Sequence, residues 1–438
     1  MNRATVIGGG LAGTEAAWQL ALRGIDVVLH EMRPVVPTPA HKTDRLAELV
    51  CSNSLGSDSW GSAPALLKAE MRRFGSLVLE AAQAARVPAG SALAVDRDLF
   101  AGFVTDRLAA HPRVTIARSE VVEHFAPVVV ATGQLTSGLM AEHLIAVLGA
   151  AQLHFFDAAA PIVTRESLDE ARLFEATRYG KGEGFYLNAP MTREQYETFY
   201  RALVEAENVA LHLAEERDVN FFEGCLPIEV IARRGKDSLR YGPLKPIGLR
   251  DPRTGKGAYA VVQLRQDNVA GDLFNLVGFQ TQLKWGEQKR VLSLIPGLEH
   301  AEFVRLGVMH RNTYLAAPAF LGPTLQWQGH PGWFFAGTLI GVEGYTEAAA
   351  TGLLAGMNLA RVLGGLEPLV LPTTTMLGGL VRYVSSCDPG LFQPINSNFG
   401  LLDRLPDRVK DKQERHAAMA DRAIADLDAL LAGSEGAR

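Results

Sequence analysis

The segment Phe221-Phe222-Glu223-Gly224-Cys225-Leu226-Pro227-Ile228-Glu229 sets a cysteine among carboxylates, just ahead of the basic residues Arg233, Arg234 and Lys236. A thiolate beside cations is stabilised and becomes a usable nucleophile. A basic run at the same place suits a polyanionic substrate. A buried cysteine acting as a small hydrophobe fits these residues equally well, so the segment alone leaves both readings open.

The basic character is local. The 438-residue chain carries a net charge of −5, which excludes a generic nucleic-acid binder. Yet between Cys225 and Ala260 eight cations (Arg233, Arg234, Lys236, Arg240, Lys245, Arg250, Arg253, Lys256) face only Glu229, Asp237 and Asp251. Such a patch fits phosphate docking as well as an ordinary solvated face. The cysteines Cys51, Cys225 and Cys387 show no zinc spacing, so no metal is expected, and their odd number argues against a disulfide framework. Together with a start that reads directly into a strand, without a leader, this points to the cytoplasm. No apolar run approaches the roughly 20 residues that cross a bilayer.

The elements that must hold this chemistry are legible from the N-terminus. Ala4 to Ile7 reads as a strand. Gly8, Gly10 and Gly13 form a GxGxxG turn into an alanine-rich helix, and Asp26 to His30 is a second strand ending at Glu31. Glycines let the backbone approach a pyrophosphate, a helix N-terminus attracts it, and an acid about 20 residues on suits a ribose. Two later segments name the dinucleotide: Pro127 to Ala131 runs into Thr132-Gly133, and Gly332 to Ala336 runs into Gly337, Gly341 and Gly344, followed by a small-residue helix from Tyr345. This trio, in this order, resembles the two-dinucleotide-binding-domain flavoproteins, which implies FAD. Gly180 to Gly184 lacks a preceding strand and reads as a loop, so no separate NAD domain is expected.

The fold expected is therefore α/β, a Rossmann-like FAD-binding domain with an inserted α/β substrate domain. The FAD-binding domain spans residues 1–179 and 303–438, and the insert spans 180–302 with strands over 258–265 and 273–281. The stretch Leu294 to Leu298 reads as a hinge, and the chain is expected to close with a charged amphipathic helix after Arg408.

Four further segments carry a more specific resemblance: Glu48 to Leu55 around Cys51, Leu67-Lys68-Ala69-Glu70-Met71-Arg72-Arg73-Phe74-Gly75-Ser76-Leu77, the Cys225 segment, and Phe392 to Gly400. They resemble, in matching order, the folate- and FAD-dependent tRNA uracil-5-methyltransferases, often called TrmFO, cousins of the wobble-uridine flavoprotein GidA. GidA-type chains are longer, with C-terminal helical domains that this chain is expected to lack. The resemblance implies methylenetetrahydrofolate as one-carbon donor, NADH or NADPH as reductant of the flavin, and 5-methyluridine in the T loop of tRNA as product. No obligate protein partner is implied. Uracil C5 becomes nucleophilic once a soft nucleophile adds to C6, and its proton must then leave to a base. Cys225 is the favoured nucleophile and Cys51 the base or second thiol, although the reverse assignment fits the same residues. Glu223 and Glu229 either tune the thiol or act as surface or capping acids, and Cys387 is expected to be structural.

A pterin ring needs a flat partner. His310 and Tyr345 are the folate candidates, His310 being equally readable as a structural histidine. Arg233, Arg234 and Lys236 are the tRNA candidates; Arg73, Arg311 and Lys284 are further cations that could meet folate or tRNA. Two other functions stay in play: a GidA-like wobble-uridine enzyme, which would need a protein partner, and a flavoprotein without tRNA chemistry, for which Cys51 and Cys225 would be dispensable.

Overall fold

A computed structural model of the protein describes residues 3–123, 126–148, 152–158, 160–180, 185–209, 226–307, 309–389 and 392–435, with the backbone alone for 152–158, 309–313 and 434–435. At its centre lies a five-stranded parallel sheet in the order β16 (Trp333–Phe335), β7 (Val128–Val130), β1 (Arg3–Ile7), β2 (Asp26–Glu31), β6 (Val114–Arg118). β7 is an unbroken run of valines buried on both faces, as the middle of a parallel sheet requires. The chain leaves β1 toward β2 on one side, while β7 flanks β1 on the other. The glycine turn thus sits where the strand order reverses, the place where such sheets bind ligands.

Helix α1 (Leu11–Leu22) is buried along almost its whole length, between the sheet and the long helix α10 (Tyr345–Leu363). Gly352 and Gly356 make this possible. A Cβ on Gly352 would lie 2.0 Å from the Ala12 carbonyl oxygen, and one on Gly356 2.5 Å from that of Ala16. Around this pair pack α2 (Ala63–Arg73), α3 (Leu77–Ala84), α4 (Arg97–Ala109) and a small antiparallel sheet ordered β3 (Ser54–Ser57), β5 (Ala92–Val95), β4 (Arg86–Val87). Helix α5 (Gly138–Leu148) follows β7.

The second unit has a six-stranded sheet whose pairings are all antiparallel: β10 (Phe174–Ala176), β11 (Tyr186–Met191), β12 (Ala260–Gln266), β13 (Leu273–Leu276), β9 (Ile162–Thr164), β14 (Phe303–Arg305). One core joins this sheet to α6 (Arg193–Glu205), α7 (Ile228–Arg233), α8 (Ser238–Tyr241) and α9 (Trp285–Leu292), through Tyr196, Phe199, Ile228, Leu239 and Val291 among others. Two strands pairing antiparallel, β8 (Gln152–Ala158) on the way out and β15 (Met309–Leu315) on the way back, connect the two units.

The sheet starts at Ile162, earlier than the boundary at 180 drawn from sequence, and its last strand runs past 302 to Arg305. Strands β9, β10 and β14 are three residues each, too short to show a two-residue period. The expected hinge is also corrected. Ile295 and Leu298 are fully buried in the second core, and Gly297 packs against Leu173.

Helix α11 (Met376–Ser386) and the terminal helix α12 (Lys412–Glu435) complete the first unit. Buried Glu70 of α2 accepts the Met376 and Leu377 N–H groups at 2.7 and 2.9 Å, satisfying the exposed donors at the start of α11. Lys68 is buried and donates to the carbonyls of Leu55 and Ser57, both at 2.9 Å, and burial pulls its pKa down to about 8. The 67–77 signature therefore has a structural cause. Arg73, a candidate for substrate anions, forms a two-point ion pair with Asp428 of α12. Lys284, another, pairs with Glu207 at 2.5 Å.

Candidate active site

The cleft begins at the turn after β1. Gly8 has φ +104°, and a Cβ there would lie 2.3 Å from the Ala131 carbonyl oxygen. A Cβ on Gly13 would stand 1.7 Å from the Gly8 oxygen, so Gly13 makes the tight strand–helix packing and does not itself line the cleft. Gly10 is different: it lines the cleft, and a Cβ on it would meet no protein atom within 4 Å. That open space lies at the start of α1, whose N-cap Gly10 has no side chain to cap the first N–H groups. Packing does not require a glycine here, and the space has the character that suits a phosphate at a helix start.

Glu31 lines the same cleft. One oxygen accepts the Gly9 N–H at 3.0 Å, and the other accepts the Arg33 backbone and Nε groups, both at 2.9 Å. Burial works against its charge, but the hydrogen bond and charge of Arg33 outweigh that and hold its pKa below the ordinary carboxylate range. Arg33 also reaches Glu48 at 3.1 Å, so an arginine that no sequence pattern singles out fixes this end of the cleft.

Thr132 and Gly133, at the end of β7, line the opposite wall, with the Thr132 hydroxyl 2.7 Å from that of Thr136. Gly337 and Gly344 line the far end; Gly341 instead packs on Phe392, 2.5 Å from where its Cβ would stand. Behind this turn, Ile395 exchanges backbone hydrogen bonds with Gly341 and Glu343, and Glu347 accepts the Ser397 N–H at 3.0 Å and its hydroxyl at 2.5 Å. The 392–400 signature is thus a brace for the glycine turn.

Cys51 is half-buried and opens into this cleft, as does Tyr345. The Tyr345 hydroxyl oxygen accepts two backbone N–H groups, from Cys51 at 2.7 Å and Ser52 at 3.1 Å. Burial first, then the neighbouring Cys51 sulfur, push the Tyr345 pKa upward, which keeps it protonated. Tyr345, expected as a pterin partner, therefore also holds the cysteine loop in place. Arg97, Arg265 and Arg305 contact the loop as well. No local pattern near Cys51 announces them, because they come from α4, β12 and β14.

Cys225 and Glu223 lie outside the described residues. The described chain resumes at Leu226, and the Ile228 N–H donates to the Gln280 carbonyl at 2.8 Å. Gln280 lines the cleft that holds Cys51, so the insert reaches the cleft of the glycine turn at this point. Glu229 is fully buried and accepts the Thr281 hydroxyl at 2.9 Å and the Gln282 N–H at 2.8 Å. Burial raises its pKa against those hydrogen bonds. It is a brace between α7 and the 281–282 segment, not a surface acid.

The backbone of His310 pairs with Asp157 across β15 and β8, while its side chain and that of Arg311 lie outside the described residues. Arg233, Arg234 and Lys236 line the outer side of the insert, but Lys236 is paired with Glu197 at 2.7 Å. Arg240 and Arg253 are paired too, with Asp237 and Asp251. The basic run is thus partly neutralised within the insert. Cys387 caps the end of α11, half-buried and outside the cleft lining. Among the described residues no cluster of His, Cys, Asp and Glu has the makings of a metal site, and no helix is long and apolar enough to cross a membrane.

Comparison with known proteins matches this geometry to a lineage. The family model described as glucose inhibited division protein A (GIDA) matches residues 3–367. The methylenetetrahydrofolate--tRNA-(uracil-5-)-methyltransferase TrmFO of Desulforudis audaxviator is 58% identical over 429 residues, covering 97% of each chain. That of Moorella thermoacetica is 57% identical, again over 97% of each. The chain belongs to the TrmFO family. GidA of Aquifex aeolicus superposes with a TM-score of 0.66 over 99% of this chain and 76% of that one, at 17% identity, which shows a shared fold. In TrmFO terms, the four signature segments sort into the Cys51 loop, the Cys225 segment, a support for the start of α11 and a brace behind the glycine turn.

Proposed function

We propose that this chain methylates uracil C5 in the T loop of tRNA, with methylenetetrahydrofolate as carbon donor, FAD as bound cofactor and NADH or NADPH as reductant. The observation that carries the reading is a cysteine loop of TrmFO type opening into the same cleft as a dinucleotide turn whose Gly10 leaves space for a phosphate. In that cleft Gly8, Gly10 and the start of α1 would hold the pyrophosphate. Glu31 would accept ribose hydroxyls, and Thr132, Gly133, Gly337 and Gly344 would flank the remainder of the cofactor. When bound, FAD supplies the two electrons that take the carried methylene to a methyl.

The chain's own residues supply the rest. The Cys225 sulfur adds to uracil C6, which raises electron density at C5 and lets C5 bond to the methylene carbon. Cys51, held by Tyr345, takes the C5 proton as the bond from the methylene carbon to the folate nitrogen breaks and tetrahydrofolate leaves; two electrons and a proton then complete the methyl group as the Cys225–C6 bond breaks and the ring is restored. The overall balance is methylenetetrahydrofolate, uridine, NAD(P)H and a proton giving tetrahydrofolate, 5-methyluridine and NAD(P)+. His310 is assigned to the pterin together with Tyr345. The second unit, residues 160–307, is assigned as the substrate domain, with Arg233 and Arg234 on the tRNA side and Lys236 available to phosphate only by leaving Glu197. The target base must leave its loop stack, where unstacking is least costly.

The test is release of tritium from C5-labelled uracil in tRNA. Wild-type protein releases it only with folate donor and reductant present, and Cys51→Ala and Cys225→Ala each lower release about a hundredfold or more while keeping FAD. Full release from both variants would leave a flavoprotein without this chemistry.

A further inference from the structure

Side chains from four separate parts of the chain converge on residues 49–53. Arg97, the first residue of α4, donates from Nη1 to the Leu49 carbonyl at 3.2 Å. Arg305, the last residue of β14, donates from Nη2 to the Val50 carbonyl. Arg265 of β12 donates from Nε to Asn53 Oδ1 at 3.0 Å and lies 3.5 Å from the Ser52 hydroxyl. Tyr345 receives the Cys51 and Ser52 N–H groups from the other side. Asn53 in turn donates to the carbonyls of Val95 and Gln266 at 3.1 and 2.9 Å, so the loop is stitched to both units.

The charge here is unbalanced. Three guanidinium groups gather near two carboxylates, Asp267, which pairs with Arg97 at 3.2 Å, and Glu343, which lines the cleft beside Tyr345. Arg265 is only 8% exposed. Burial pulls the pKa of Arg305 down and the like charge of Arg97 adds to it, while Tyr345, Cys51 and Asp267 act in the opposite direction. Burial also dominates at Arg265. Gathering like charges out of water costs stability. Backbone carbonyls alone would have been served by neutral donors.

We propose that Arg305, backed by Arg265 and Arg97, is a positioning residue for Cys51, fixing its loop and supplying the positive charge that its sulfur requires when it carries a negative one. This deepens the reading of Cys51 as the base and rests on it. A base must begin unprotonated, and a cation beside a sulfur favours the thiolate. The charged and titratable groups facing the loop among the described residues are Arg97 from α4, Arg265 and Asp267 from β12 and its end, Arg305 from β14, Tyr345 from α10, Glu343 before it, and Tyr186 of β11 behind Arg265. Two of the three arginines belong to the second unit, so the thiol of one unit is conditioned by the other.

The experiment is site-resolved alkylation by iodoacetamide, read by peptide mass spectrometry across pH on the full-length FAD-loaded protein. Arg305→Gln is expected to move the midpoint of Cys51 labelling up by about one pH unit and slow its labelling about tenfold at neutral pH. Arg305→Lys, which keeps the charge, returns the midpoint close to wild type, and Cys387 labels alike in all three. An unchanged Cys51 midpoint in Arg305→Gln overturns the proposal. Should Arg305→Gln fail to load FAD, Asp267→Asn decides: it removes the opposing negative charge and is expected to move the midpoint down, and no movement overturns the proposal. The labelling uses neither tRNA nor folate. Its failure leaves the methyl-transfer reading intact, and failure of that reading, seen as full activity in Cys51→Ala, leaves the labelling result standing.

Discussion

Gly10 and Gly13 stand three residues apart and answer to different constraints. Gly13 is required by the protein itself, since a Cβ there would collide with the Gly8 oxygen, whereas Gly10 faces empty space with φ −77°, a conformation open to any residue. Gly10→Ala is therefore expected to fold with wild-type thermal stability and bind FAD roughly tenfold more weakly or worse, measured as flavin absorbance per protein and by titration of the apo form. Gly13→Ala is expected to lose folded yield instead. Equal damage from both would contradict the assignment of Gly10 to the ligand. The fingerprint glycines and Glu31 were legible because spacing alone encodes a strand, a turn and a helix. The braces and clamps were not. Arg33 shares its segment with Glu31 but belongs to no pattern, and Arg97, Arg265 and Arg305 meet the Cys51 loop only through the way strands and a helix are ordered in space.

At the scale of elements, buried carboxylates fasten helix starts. Glu70 of α2 receives the first N–H groups of α11, and Glu15 of α1 receives those of Leu77 and Val78 in α3, together with the Ser76 hydroxyl. Burial dominates over these hydrogen bonds and raises each pKa from 4.5 to about 7. A folded-state pKa above the unfolded one means stability that is fully present below about pH 4.5 and lost as pH climbs through about 7. The urea midpoint of wild type relative to a Glu15→Gln/Glu70→Gln variant, which cannot titrate there, should therefore fall between about pH 5 and about pH 8. A constant difference would show that these carboxylates do not change charge in that window. Strands β12 and β13 could be read from β-branched and apolar runs, β12 to within two residues at each end, whereas β13 stops at Leu276, short of the end expected at Thr281. Strands β9, β10 and β14 could not, because three residues fix no period and their partners lie up to about 140 positions away.

At the scale of the whole molecule, a parallel-sheet unit provides the cleft proposed for FAD, and an antiparallel unit, reached and left through the β8–β15 pair, leans on it at Asn53, Tyr186, Gln280 and Arg305. The flavoprotein frame was legible from three glycine-bearing segments in order. The position of the second unit over the Cys51 loop was not, since contacts between units follow from tertiary packing rather than from any local signal. That arrangement sets a thiol on one unit beside the unit proposed to bind tRNA, so that both would serve one methyl transfer. The direct test is to incubate the purified yellow protein with an unmodified tRNA transcript, NADPH and methylenetetrahydrofolate, with S-adenosylmethionine as the control donor, and to analyse the digested nucleosides by mass spectrometry. The expected product is 5-methyluridine at one T-loop position, formed with the folate donor alone. Protein that retains FAD but forms no methylated uridine with either donor would contradict this assignment.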